Sequence, residues 1–167
     1  MRHCTLWATS ICFALVSLPS LAQSPEPLPM AYKAAAATTF GNHPALPTCG
    51  TIAVQDGNPG TGPSIILLKL KAGCVIPWHW HTPNERLIIV TGSAKGEMKD
   101  MPALMLKPGD FVLLPAKGIH QFTALTEIEL YDLSDAPFDI HYVDSAGKEI
   151  PVDVALKPGN QAPAATQ

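Results

Sequence analysis

From residue 51 to residue 143 the chain is a succession of short apolar runs broken by glycine and proline. The runs are TIAVQ (51–55), SIILLKL (64–70), VIPWHWH (75–81), RLIIV (86–90), SAKGEM (93–98), ALML (103–106), FVLLP (111–115), HQFTAL (120–125), IELYDL (128–133) and FDIHYV (138–143). NPGTG, KAG, TPN, TG, KPGD and AKG separate several of them. No window sustains a helical period. Many short strands at this spacing predict an all-β sandwich or barrel. The flanks differ in kind. Residues 23–48 are rich in proline and alanine and read as an extended arm, and residues 144–167 read as a C-terminal extension, disordered from about residue 157.

Alternation also assigns faces. On a strand, residues two apart share a face, so His79 and His81 project together while Trp78 and Trp80 point the other way. Glu85 follows the TPN turn and opens the next strand, which can return antiparallel beside the first. With Glu85 inward go Leu87, Ile89 and Thr91; with His79 go Pro77 and Val75; with His120 go Phe122 and Ala124. That lining is apolar, without an acid or base beyond the candidate ligands. In TEIELYDL, Glu127, Glu129 and Tyr131 alternate with Ile128, Leu130 and Asp132, and either set can face inward. His43 and His141 read as ordinary core or surface histidines.

The first 22 residues change the picture of where this domain operates. A short basic start (Arg2, His3), an apolar run and Ser20-Leu21-Ala22 read as a secretory signal peptide, with cleavage expected near Ala22–Gln23. The run is broken by Pro19 and is too short to span a bilayer. Cys12 lacks the small preceding residue of a lipoprotein anchor, and no twin-arginine pair is present, so export in the unfolded state to the periplasm or beyond is expected. Cleavage removes one of the 11 basic residues and none of the 14 acidic ones, taking the net charge from −3 to −4. So mild and unclustered a charge excludes nucleic acid as a partner, and no membrane contact is expected of the mature form. Cys49 and Cys74 are the cysteines left. The turn-rich DGNPGTGP (56–63) between them suits a hairpin that would bring them opposite each other. A disulfide and two separate buried thiols both remain open.

Two imidazoles and a carboxylate at this spacing are a recurring set for non-haem iron and related ions. A wider pattern surrounds them. Gly73, five residues, His79-Trp80-His81, three residues, Glu85, six residues and Gly92 match the first motif of the cupin superfamily at every defined position. Gly109, five residues, Pro115 and then His120 resemble the second motif, with two departures: Lys117 stands where the pattern has glycine (Gly118 follows), and Ala124 stands at a frequent asparagine. The resemblance covers residues 49–143 and is nearest to small secreted single-domain bacterial cupins. It implies a double-stranded β-helix, or jelly-roll barrel, holding one divalent transition-metal ion (iron, manganese, nickel, copper or zinc) on His79, His81, Glu85 and His120.

Four protein ligands on an octahedral ion leave positions for substrate or dioxygen. The expected function is a metal-dependent oxygenase or oxidase acting on a small apolar or phenolic compound. The alternative is a non-catalytic metal- or ligand-binding cupin, a sensor or carrier. Ser64 and Ser93 lack a nucleophile-elbow context, and no glycine loop suited to phosphate occurs. Outward-facing Trp78, Trp80, Ile88 and Val90 are either covered by the second sheet or the arm, or form a homodimer interface; the dimer is the expectation.

Overall fold

The computed structural model describes residues 28–157. The expected signal peptide and nearly all of the tail expected to be disordered lie outside these residues. The following concerns the compact unit that begins at Lys33.

Each of the ten apolar runs is a strand. They are β1 (Gly50–Gly57), β2 (Ser64–Leu70), β3 (Val75–Trp80), β4 (Glu85–Thr91), β5 (Ala94–Met98), β6 (Leu104–Leu106), β7 (Phe111–Leu114), β8 (His120–Ala124), β9 (Ile128–Ser134) and β10 (His141–Tyr142). They form two five-stranded sheets, ordered β1-β2-β9-β4-β7 and β10-β3-β8-β5-β6, with every pairing antiparallel. From β2 to β5 and again from β6 to β10 the chain crosses from one sheet to the other at each connection. The result is a jelly-roll barrel.

Alternation drives the packing. In both β2 and β9 every second residue is buried, and their register places the buried residues side by side: Ser64 with Ser134, Ile66 with Asp132, Leu68 with Leu130, Leu70 with Ile128. Strand β4 continues these rows, with Glu85 beside Ser134, Leu87 beside Asp132 and Ile89 beside Leu130. The interior of this sheet is therefore polar at one end and wholly apolar at the other. Ile76, Phe122, Ala124, Ala94 and Leu106 of the facing sheet complete the apolar end. Burying each large aliphatic side chain there contributes about 1.5–3 kcal/mol.

Several expectations from the sequence are corrected. Strand β4 does not return beside β3. Strand β3 pairs with β8 and β10, and β4 with β7 and β9, so the TPN corner carries the chain across the barrel and Glu85 meets the histidines from the opposite sheet. A register shift between Ile76 and His79 breaks the alternation, and Ile76 instead of Pro77 lines the interior with His79. A second shift between Ile89 and Thr91 leaves Thr91 exposed. The expected outer patch also divides. Trp78 and Trp80 lie on one sheet, Ile88 and Val90 on the other. Trp80 is stacked on His141 at 3.9 Å between ring centroids and 4° between planes.

The arm is fastened to the barrel. After one 3-10 turn (Ala35–Ala37), Gly41 exchanges backbone hydrogen bonds of 2.9 Å with Ile52, and Tyr142 donates its hydroxyl to the Ala45 carbonyl at 2.8 Å. The β1–β2 hairpin sets Cys49 against the turn before β3, where it is bonded to Cys74 with 5.7 Å between the α-carbons. Past β10, Val143 bridges to Glu149, and a short helix, α1 (Val152–Ala155), buries Ala155 in the core.

The Cys49–Cys74 bond closes a loop with a sequence separation of 25. Replacing both cysteines by serine is expected to lower the unfolding free energy by about 3–4 kcal/mol on the chain-entropy relation. Urea midpoints of the two proteins measure it, and an unchanged midpoint would remove the bond from the account of stability.

Candidate metal centre

His79 and His120 face each other across the β3–β8 ladder, and His81 follows at the end of β3. Their ring nitrogens lie within 4.8 Å of one another. Glu85 reaches in from the other sheet, its Oε2 3.3 Å from His120 Nε2 and 3.5 Å from His81 Nε2. All four side chains are buried. The structure thus brings together every residue the motifs single out.

Each imidazole is aimed by a backbone carbonyl. His79 Nδ1 donates to Pro77 O at 2.6 Å, His120 Nδ1 donates to Gly118 O at 2.9 Å, and His81 Nδ1 donates to Asp139 O. With Nδ1 protonated in the neutral ring, the Nε2 lone pair is the one left to face a cation, the arrangement by which outer groups orient metal-binding histidines. Two atoms at the centre, His81 Nε2 and Glu85 Oε2, have no hydrogen-bond partner among the described residues. Buried polar atoms are almost always satisfied. Orphans on one imidazole and one carboxylate, facing each other, fit a bound cation.

The electrostatics agree. Burial lowers His79 well below the usual histidine range, and the neighbouring His120 and His81 push the same way. Burial also lowers His81, against the opposing pull of Glu85. Both rings are neutral, the form that binds a metal. Burial by itself would raise Glu85, but the surrounding imidazoles outweigh it and hold the carboxyl at about 2. The site therefore offers two neutral imidazoles, His79 and His81, and one negative oxygen on Glu85, with His120 Nε2 beside it.

The motif glycines are conformational requirements. Gly92 sits at φ +75°, and a Cβ there would lie 2.1 Å from the Glu127 carbonyl oxygen. Lys117, at the position where the second motif has glycine, adopts φ 61° all the same. A non-glycine residue in this region costs about 1–2 kcal/mol. The loop retains it because Lys117 N–H donates to the His81 carbonyl at 2.8 Å, while the next residue supplies the carbonyl that aims His120.

No family model matches this sequence, and no curated protein does. Solved structures do resemble it. KdgF from Halomonas sp. superposes with a TM-score of 0.55 at 18% identity, over 64% of this chain and 94% of that one. An RmlC-like cupin from Ralstonia eutropha JMP134 gives 0.55 at 20% identity, over 71% and 74%. Another, from Shewanella frigidimarina NCIMB 400, gives 0.55 at 16% identity, over 65% and 91%. The fold is that of the cupins. At these identities the likeness is one of architecture, and the chemistry must be argued from the residues.

Beyond the candidate ligands, the pocket holds an acid that the sequence left undecided. In β9 the inward set is Ile128, Leu130 and Asp132, so Glu129 and Tyr131 face away from the pocket. Asp132 Oδ1 is buried, without a hydrogen-bond partner among the described residues, and Asp132 lines the same cavity as Glu85. The expectation of a lining with no acid beyond the ligands is thereby corrected. Its signal was available: a carboxylate in phase with Ile128 and Leu130 on an amphipathic strand. Asp139 went unnoticed for a different reason. Its backbone carbonyl holds His81 and its carboxylate accepts the Thr82 N–H at 2.7 Å, a contact across 57 residues that no local pattern announces.

Burial, then the charge of Glu85 and a hydrogen bond with it, raise Asp132 well above its ordinary value of 3.8. The folded protein keeps this proton while the unfolded chain releases it from about pH 4, so rising pH costs the native state stability until the folded carboxyl ionises. In metal-free protein, Asp132→Asn is expected to stabilise more at about pH 8 than at about pH 5, by about 1.4 kcal/mol per unit over which the native proton is retained. Unfolding free energies from urea titrations at both pH values test this; an equal difference would mean that Asp132 carries no buried proton.

Proposed function

We propose that this cupin is an exported metal-dependent oxidoreductase that uses dioxygen on a small, largely apolar molecule bearing an oxygen donor. One observation carries the reading. Three of the buried donors, His79, His81 and Glu85, line a cavity of about 130 Å³ whose walls also include Leu46, Ile52, Ile66, Ile76, Phe138 and Ile140. A structural metal site is closed by its ligands, whereas here the ligand set lies against a space that a molecule can enter.

A divalent transition ion held by His79, His81, His120 and Glu85 would polarise a bound oxygen and, if redox-active, provide electrons for dioxygen chemistry. The chain's own residues do the rest. The aliphatic and aromatic side chains hold the body of the ligand and exclude water. Pro77, Gly118 and Asp139 keep the three imidazoles turned inward. Asp132 keeps a proton beside Glu85, where it can be exchanged with a ligand at the pocket wall. That acid favours a second reading, a metal-assisted proton transfer without net oxidation.

Export is supported by the Cys49–Cys74 bond, which persists in oxidising compartments. Pairing with a second copy is supported by the outer face of the β4 sheet. There Leu67, Tyr131, Ile88 and Phe111 lie in one row, and Ile88, Val90, Phe111 and Leu113 are exposed.

Metal content of protein recovered from its native compartment, with and without His79→Ala and His120→Ala together, is the decisive measurement. Near-stoichiometric iron, copper, manganese or nickel that the double variant loses, with oxygen uptake on phenolic substrates, is the expected outcome. Turnover that persists without oxygen would establish the proton-transfer reading. Zinc with no turnover would make the protein a binding cupin. On light scattering the mass of two chains is expected, and the mass of one would overturn the dimer.

A further inference from the structure

His43 belongs to the arm, outside the barrel's ten strands, and the sequence offers it no chemical role. The structure brings it to the cavity that also exposes His79, His81, Glu85 and Asp132. Its position is not left to a free segment. Two residues before it, Gly41 is locked to β1 at Ile52, and two residues after it the Ala45 carbonyl accepts from Tyr142. Cys49, six residues on, is bonded to Cys74 beneath. The arm therefore roofs the pocket from anchors on both sides of His43.

The imidazole is also set chemically. Ala45 N–H donates to His43 Nδ1 at 3.2 Å, so in the neutral ring the proton resides on Nε2. In that tautomer Nε2 carries the N–H that a ligand in the cavity would accept. Around it the roof and walls are Leu46, Ile52, Phe138 and Ile140, which offer no side-chain hydrogen bond. Polar recognition in this cavity is thus divided between two places: the ligand cluster with Asp132, and His43 on the arm.

We infer that His43 is the specificity-determining residue of the pocket, donating through Nε2–H to a second oxygen on the substrate. The ligand class follows from the walls. A cavity of about 130 Å³ is near the size of apolar cavities that hold one benzene ring, about 150 Å³. The substrate is then a single ring or a short branched chain with an oxygen at each end, one directed to the histidine cluster and the other accepting from His43. This rests on the proposed small-molecule reading of the same pocket.

Binding distinguishes the two. Zinc-loaded protein is titrated calorimetrically with phenol, which has one oxygen function, and with 4-hydroxybenzoate, which has one at each end of the ring. His43→Ala is expected to weaken 4-hydroxybenzoate by about five- to tenfold, the worth of one neutral hydrogen bond, and to leave phenol within about twofold. His43→Gln, which restores an N–H donor, is expected to recover part of the loss, and zinc content and thermal midpoint are expected to stay unchanged in both variants. Equal weakening of both probes, or no change in either, would overturn the role of His43 and leave the pocket's function standing. Failure of both probes to bind the wild-type protein would overturn the small-molecule reading along with it.

Discussion

Three imidazoles and a carboxylate are held out of water between two sheets, and the cost of that desolvation organises the rest of the molecule. Bringing ionisable groups into a low-dielectric interior costs several kcal/mol for each charge. The cluster limits this in two ways. His79 and His81 lie in neutral form, and each Nδ1 is satisfied by a carbonyl, while the negative charge on Glu85 is left facing the Nε2 atoms of His81 and His120. What remains is a set of lone pairs and one charge converging on a point, an arrangement completed by a cation.

The barrel accommodates this by segregating polarity along its length. Ser64, Ser134 and Glu85 occupy one inward row, Asp132 the next, and from Leu68, Leu130 and Ile89 onward the interior is apolar. The apolar end supplies the hydrophobic stabilisation that offsets the polar end. Strand alternation then guarantees that a ligand entering at the polar end meets aliphatic walls beyond the donors, which is what separates a binding pocket from a buried ion pair.

The connections carry as much of the site as the strands do. Asp139 fastens the corner after His81 through both its carbonyl and its carboxylate. The loop from Pro115 to His120 accepts a left-handed Lys117 and in exchange positions both His81 and His120. The arm is held by the disulfide, and through it Leu46 and His43 become walls of the cavity. Loops placed by a rigid scaffold are where binding residues concentrate.

What the sequence by itself determined was local. Each strand announced itself through period-two alternation and turn residues, because a strand's faces depend on its immediate neighbours. His79, His81, Glu85 and His120 were readable because the motif spacing lies within one or two strands and their turns. Only the tertiary structure decided the non-local matters. Sheet pairing sent β4 across from β3 and not beside it; register shifts, which respond to the partner strand, brought Ile76 inward and turned Thr91 out. The choice between the two faces of β9 was set by packing against β2 and β4, and with it the burial of Asp132. His43 entered the pocket because the Cys49–Cys74 bond, the backbone pair between Gly41 and Ile52 and the Tyr142 hydroxyl on the Ala45 carbonyl fasten the arm beside it.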